Sequence, residues 1–177
     1  EKSTGDAIVG TMSDHGSHVT SPACDVLVIE DDPTQGEELA CYLERAGLKV
    51  EAITSASLAI HTIGELRPKV ALIDYNLPDL DGVTVAERIR RLSPGTAMII
   101  VSGRIDGLSD VTLATAGIFA FMSKPVSLGA LRRAVLKIIR TTARDGTPPV
   151  LPRKGPFSLS LGALGMPRGG IQVFARR

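Results

Sequence analysis

The sequence contains no tryptophan, and aromatic side chains make up only 3% of its 177 residues. Any hydrophobic core must therefore be built mainly from Val, Ile, Leu and Ala. The two cysteines, Cys24 and Cys41, are too few for a disulfide framework and lack metal-ligand spacing, so we expect a protein of the reducing cytoplasm. The longest apolar runs, such as residues 97–101, are far shorter than the roughly 20 residues of a membrane-spanning helix. This excludes a transmembrane protein.

There is also little excess of charge of either sign, because the net charge is only +1, but the charges are unevenly distributed along the chain. Residues 142–177 hold six basic side chains and one acidic side chain, which gives +5 and leaves −4 for the rest of the chain. That stretch is rich in Gly, Pro and Arg, so we predict a basic tail. Residues 1–24 lack apolar periodicity and signal-peptide features, and we predict a flexible leader or a tag remnant there. The residues between these two segments, 25–141, are predicted to form one domain.

The predicted domain alternates short apolar runs with helical stretches. Four runs are almost solidly apolar, as in parallel strands covered on both faces, whereas the second run alternates like an edge strand. The five runs are residues 26–29, 49–53, 70–73, 97–101 and 118–122. Apolar residues recur at spacings of three and four between them. The sequence therefore predicts an α/β fold, a doubly wound five-stranded parallel sheet in a three-layer sandwich.

Polar side chains follow four of these strands. Glu30 and Asp31 follow the first strand, Asp74 the third, Ser102 the fourth and Lys124 the fifth. Taken singly, each acid is best explained as a helix cap and each of the others as part of a loop. Together they are expected to meet at the carboxyl edge of the sheet, where ligands bind in such folds. Clustered carboxylates call for a cation, and a site of hard oxygens without Cys or His favours Mg²⁺.

Four motifs make the chain resemble the receiver domain of two-component response regulators, of the single-domain type, over residues 25–141. They are VIEDDP at 28–33, LIDYNLPDLDG at 72–82, IIVSG at 99–103 and FMSKP at 121–125. The resemblance implies the flavodoxin-like strand order 2-1-3-4-5.

The same resemblance implies a role for each matching residue. Asp74 would be the phosphoacceptor, and Ser102 and Lys124 would contact phosphoryl oxygens. The Mg²⁺ ligands would be Asp31 directly, Glu30 through water, Asp74, and the backbone carbonyl of Asn76. The peptide to Pro125 would be cis.

A conformational switch is also implied. Ser102 would move toward the phosphoryl group, and Phe121, which lacks the hydroxyl of the more usual Tyr, would rotate inward. The readout face would be formed by the fourth helix, the fifth strand and the last helix. Its apolar residues could support a homodimer; they are Val111, Leu113, Ile118 and Phe119.

Other residues near these motifs have plainer interpretations. Asp32 precedes Pro33 and is expected to cap the first helix. Asp79 and Asp81 are expected to belong to the turn that leads into the third helix at Gly82.

The predicted function is that of a stand-alone phosphoacceptor. We expect it not to be an enzyme, apart from catalysing its own phosphorylation and the hydrolysis of the resulting phosphoryl group. Its partners would be a histidine kinase or phosphotransfer protein and a downstream protein target. We expect no binding to a membrane. One alternative is a DNA-associated regulator that uses the basic tail, although the tail's two aromatics, Phe157 and Phe174, offer little base stacking. The other alternative is a Mg²⁺-dependent aspartyl-phosphate phosphatase.

Overall fold

The computed structural model describes residues 24–103, 117–145 and 171–173. The strands are β1 (Val26–Ile29), β2 (Val50–Ile53), β3 (Val70–Asp74), β4 (Ala97–Ser102), β5 (Ile118–Ser123) and β6 (Ile171–Val173). The helices are α1 (Pro33–Glu44), α2 (Ala56–Leu66), α3 (Gly82–Leu92) and α4 (Leu128–Asp145). The helix predicted between β4 and β5 would fall on residues 104–116, outside the described residues.

The strands form one sheet in the order β2-β1-β3-β4-β5-β6. The first five are parallel, so the predicted order 2-1-3-4-5 is confirmed. β6 is antiparallel to β5 and comes from the stretch predicted as a tail. The sequence did not indicate this strand, because the segment has only three residues and lies among Gly and Arg residues.

The core lies on both faces of the sheet and is mainly aliphatic, as the scarcity of aromatics predicts. One face packs Leu43 of α1 and Leu131 of α4 against β1, β3, β4 and β5. The other packs Ile63 of α2 and Ile89 of α3, together with the buried ring of Phe121. β2 is the outer strand on one side, and its Glu51 and Ala52 are exposed. This outer position explains why β2 is less apolar than the strands that are covered on both faces.

Helix boundaries follow local capping chemistry. Asp32 caps α1 as predicted, since its carboxylate accepts hydrogen bonds from the backbone N–H groups of Thr34 at 2.9 Å and Gln35 at 3.3 Å. Pro33 occupies the first helical turn, where its missing N–H costs nothing. Gly47 has φ 82°, a left-handed conformation in which glycine is unstrained. The chain therefore leaves α1 without strain and returns toward β2.

No helix of the described residues is long and apolar enough to cross a membrane.

Candidate functional site

The register of the sheet brings the predicted polar residues to one rim. Ile29 is paired with Ile73, so Glu30, which follows β1, and Asp74, the last residue of β3, lie at the same level. Ser102 is paired with Ser123, which places Lys124 directly beyond the end of β4. The N–H of Lys124 donates to the Ser102 carbonyl at 2.8 Å. Parallel strands thus carry all of these residues to the carboxyl edge, as expected for a doubly wound sheet.

Three carboxylates converge there. Glu30, Asp31 and Asp74 each offer one oxygen, and these oxygens lie within 4.8 Å of one another. Glu30 and Asp74 are buried, with 4% and 6% of their surface exposed, whereas Asp31 is exposed. Like charges held this close repel one another strongly out of water, so the cluster requires cationic compensation. Its oxygen-only donor set and its solvent-facing side fit a hard divalent cation that retains waters.

Lys124 already supplies one positive charge to this cluster. Its Nζ donates to Glu30 Oε2 at 2.9 Å and to Asp74 Oδ2 at 3.0 Å. Burial opposes the charged form of Lys124, but the hydrogen bonds to Glu30 and Asp74 outweigh it and the pKa of the ammonium is raised. The lysine therefore stays protonated while it holds two buried carboxylates together.

The pKa of Glu30 is also raised, which for a carboxyl favours the neutral form. Burial, reinforced by the negative charge of Asp74, raises the pKa of the Glu30 carboxyl despite its hydrogen bond to Lys124. An aspartate at this position would be one methylene shorter and would reach less far toward the lysine. Glu30 therefore binds Lys124 and belongs to the cluster of three carboxylates at the same time.

Gln35 is a member of the site that the sequence analysis missed. Its Oε1 accepts a hydrogen bond from Lys124 Nζ at 3.4 Å, and its Nε2 donates to Asp32 Oδ2 at 2.8 Å. The side-chain amide of Gln35 thus links Asp32, the cap of α1, to Lys124, which directly follows β5. An exposed polar residue in the first turn of a helix carries no sequence signal for such a role, which arises only when the sheet is assembled.

The loop after Asp74 is folded back tightly onto β3. The Asn76 N–H donates to Asp74 Oδ1 at 3.3 Å, and the Gly82 N–H donates to the Tyr75 carbonyl at 2.9 Å. A Cβ at Gly82 would lie 2.8 Å from the Asp74 carbonyl oxygen and 2.9 Å from the Tyr75 Cα. Only glycine therefore fits at the start of α3 without moving the backbone of Asp74.

Two aspartates of this loop cap two different helices. Asp81 caps α3, in agreement with its predicted place at the start of that helix; its Oδ1 accepts from the Thr84 N–H at 2.9 Å. Asp79 lies in the turn as predicted, but its carboxylate reaches α2 and accepts from the Ser57 N–H at 2.9 Å. It also accepts from the Ala56 N–H at 3.3 Å and from Ser55 Oγ at 3.2 Å.

These contacts give Asp79 a low pKa of about 2, because backbone hydrogen bonding, chiefly from Ser57, favours the carboxylate. Asp79 consequently ties the loop that follows Asp74 to the N-terminus of α2.

The predicted switch residues lie on the inner strands. Ser102 is fully buried at the end of β4. The ring of Phe121 is only 1% exposed and packs among Leu27, Ile73 and other core residues, so it already occupies an inward position. A phenylalanine has no hydroxyl that would favour an outward, hydrated position. The peptide bond between Lys124 and Pro125 is cis.

The predicted apolar readout face is only partly described. Val111 and Leu113 lie outside the described residues. Phe119 is half-buried against the core, and Ile118 is 3% exposed. Ile118 was expected on the surface, and that expectation is wrong because its side chain points into the core beside Phe121. It therefore contributes nothing to a dimer surface.

The chain is similar in sequence and in fold to known proteins. The family model of the response regulator receiver domain matches residues 26–136. The chain is 29% identical to the transcriptional activator protein PfeR of Pseudomonas aeruginosa, over 75% of its own length and 43% of that protein. It is 32% identical to the transcriptional regulatory protein CseB of Streptomyces coelicolor, over 68% of its own length and 51% of that protein. The chain thus spans about half the length of these curated relatives.

A solved structure, the response regulator receiver domain protein of Methanospirillum hungatei, resembles the chain with a TM-score of 0.65 and 27% identity. The match covers 68% of this chain and 97% of that one.

Proposed function

Because the chain belongs to the response regulator receiver domain family, we propose that it accepts a phosphoryl group on Asp74 from a histidine kinase or phosphotransfer protein. The main support is the contact between the buried carboxylate of Asp74 and Lys124 Nζ at 3.0 Å, inside a cluster of three acids. In the transfer, a carboxylate oxygen of Asp74 forms a bond to phosphorus. The bond from phosphorus to the histidine nitrogen of the donor breaks, and that nitrogen keeps the electron pair.

The cation that fits this site is Mg²⁺. Asp31 and Asp74 would bind it directly, Glu30 would act through water, and the carbonyl of Asn76 would complete the protein ligands. When bound, the ion neutralises the carboxylates and the charge on phosphoryl oxygens. Asp31 is exposed, which leaves one side of the cluster open to the donor.

Lys124 has the second electrostatic role. Its ammonium already spans Asp74 and Glu30, so it lies where a phosphoryl oxygen on Asp74 would also come within reach. Its raised pKa keeps it charged throughout the physiological range. Lys124 would therefore exchange a carboxylate partner for a phosphoryl oxygen and hold the new group in one orientation.

The signal would leave the site through β4 and β5. Ser102 would bond a phosphoryl oxygen, and its displacement would change the packing around Phe121, which is paired with Ile100 of β4. The readout surface would include β5, α4 and the segment between β4 and β5. A downstream protein, or a second copy of the chain, would bind there.

The predicted stand-alone arrangement stays a prediction, because the curated relatives are about twice as long and are named as transcriptional regulators. A cytoplasmic location is supported by two unpaired cysteines, Cys24 and Cys41. Turnover would be limited to phosphorylation of the protein itself and its hydrolysis.

The experiment is incubation with acetyl phosphate and Mg²⁺, followed by intact mass spectrometry. The wild type should gain the mass of one phosphoryl group, and chelation of Mg²⁺ should suppress the gain. Asp74→Ala should gain nothing. The matched control is Asp25→Asn, because Asp25 pairs with Lys69 at the opposite end of β1 and β3 and should not affect the site.

An unmodified wild type would refute the proposal. Multiple turnover of a phosphomonoester would favour the phosphatase alternative instead.

A further inference from the structure

The positive charge of the last helix has no part in the proposed phosphorylation. Residues 126–177 hold ten basic side chains and one acidic side chain, Asp145, which gives +9 and leaves −8 for residues 1–125. The change of sign falls between β5 and α4, so α4 is a basic helix on an otherwise acidic domain. A concentration of Lys and Arg on one element is the electrostatic feature by which proteins bind polyanions.

Three of these cations form one stripe along α4. Arg133, Lys137 and Arg140 are exposed, and they follow one another at spacings of four and three residues, which places them on one side of the helix. At a rise of about 1.5 Å per residue they span about 10 Å along the helix axis. Within the described residues, no ion pair joins any of the three to a carboxylate. Their charges are therefore available to a partner.

Arg132 marks the side of α4 that already has a neighbour. Its guanidinium lies 5.9 Å from the centroid of the Tyr42 ring in α1. Successive residues of an α-helix are about 100° apart, so the stripe is turned by roughly 80–140° from Arg132. The stripe is therefore turned away from α1, the helix that carries the exposed acids Glu37 and Glu38. Those acids do not neutralise it.

The composition of the stripe identifies the kind of polyanion. The apolar side chains of α4, such as Leu131, Val135 and Ile138, are buried in the core, so this helix has no apolar face to insert into a lipid surface. A protein interface needs an apolar or aromatic centre, and single-stranded bases need aromatic rings on which to stack. The stripe offers only cationic groups on long side chains. The backbone of a duplex requires nothing else.

We propose that Arg133, Lys137 and Arg140 form a contact surface for the phosphate backbone of double-stranded DNA. The opposite side of α4 packs on the sheet, so the helix lies against the backbone and does not enter a groove. Such a contact carries no base specificity, and its affinity depends strongly on salt. The inference does not rest on phosphorylation, and its test requires no phosphoryl donor.

The test is fluorescence anisotropy of a labelled DNA duplex of about 20 base pairs, titrated with the full chain at several NaCl concentrations. Each neutralised phosphate contributes about −0.9 to the slope of log K against log salt, so the wild type should show a slope of about −3 or steeper. The double variant Arg133→Gln with Lys137→Gln should bind about tenfold more weakly or less at low salt, with a slope shallower by about 2.

The matched control is the double variant Arg88→Gln with Arg91→Gln. Both of these arginines are exposed on α3, and their loss changes the net charge by the same amount. This control should keep the slope of the wild type, because an effect of net charge alone would change both double variants equally. Urea midpoints should be alike in all three proteins, since only exposed side chains are replaced. Lys137→Gln alone should make the slope shallower by about 1.

Four results would overturn the proposal. The first is no binding of the duplex by the wild type at the lowest salt concentration, and the second is an equal loss in the α3 and α4 double variants. The third is a loss in Arg153→Gln with Lys154→Gln while the α4 variant binds like the wild type, because the basic tail would then be the site. The fourth is tighter binding to vesicles of phosphatidylserine and phosphatidylcholine than to DNA, lost in the α4 variant, because the partner would then be a membrane.

Discussion

Replacement of Gly82 by alanine tests how tightly the loop after Asp74 is built. The added Cβ would lie 2.8 Å from the Asp74 carbonyl oxygen and 2.9 Å from the Tyr75 Cα. Both are backbone atoms, so neither can rotate away as a side chain would. Overpacking of this kind costs about 1–3 kcal/mol. Alanine gains at most about 1 kcal/mol over glycine in a helix, and less at the first helical residue. We expect a net loss of about 1–2 kcal/mol.

Gly64 provides the matched control. It lies in α2, is exposed, and a Cβ there would meet nothing within 4 Å. Gly64→Ala should therefore raise the free energy of unfolding by about 0.5–1 kcal/mol, through reduced entropy of the unfolded chain. Urea unfolding followed by circular dichroism would measure both variants, which should shift the midpoint in opposite directions at equal m-value.

The same pair has a functional readout. The backbone shift that Gly82→Ala requires moves Asp74 and Tyr75, so its phosphorylation by acetyl phosphate should be slower than that of the wild type, while Gly64→Ala should match the wild type. A Gly82→Ala protein as stable as the wild type, phosphorylated at the same rate, would refute the reasoning about the loop.

Two further substitutions address the charges of the site. Asp79→Asn should destabilise the protein at pH 7. The pKa of Asp79 in the folded protein is lowered to about 2, so its contribution to the free energy of unfolding is present above the ordinary pKa of about 4 and is lost as pH falls from about 4 toward 2. The stability of the variant should therefore decline less than that of the wild type over this pH range. Equal acid limbs in urea titrations of both proteins would contradict this. Lys124→Met leaves Glu30 and Asp74 without their ammonium partner, and we expect the free energy of unfolding to fall by about 1–3 kcal/mol. This is less than for a fully buried ion pair, because the lysine side chain is 25% exposed. Added Mg²⁺ should raise the melting temperature of this variant more than that of the wild type, and an equal rise would argue against electrostatic compensation by Lys124.

Much of the fold could be predicted because parallel strands covered on both faces have a strong local signal. The run 70–73 is solidly apolar, and β3 is indeed buried along its whole length. The run 49–53 alternates, and β2 is the outer strand. Once strand order is fixed, the residues directly after each strand must meet at one rim. Glu30, Asp74 and Lys124 were therefore predictable as neighbours without any knowledge of side-chain positions.

The remaining contacts could not be predicted because they depend on which elements meet in three dimensions. Asp79 is in sequence a turn residue of its own loop, and nothing in its neighbourhood indicates that it caps α2. Gln35 is an exposed residue of α1 whose contact with Lys124 joins positions far apart in the chain. β6 has only three residues, and it is recognisable as a strand only because β5 offers an unpaired edge.

The central claim is that Asp74 itself receives the phosphoryl group. Its most direct test is to phosphorylate the chain with acetyl phosphate and Mg²⁺, reduce the product with borohydride, and map the peptides by mass spectrometry. Reduction converts a phosphorylated aspartate to homoserine, so the modified residue is identified. We expect homoserine at position 74 and nowhere else. Homoserine at position 31 or 32 with an unmodified Asp74, or no homoserine in a protein that has gained phosphoryl mass, would contradict it.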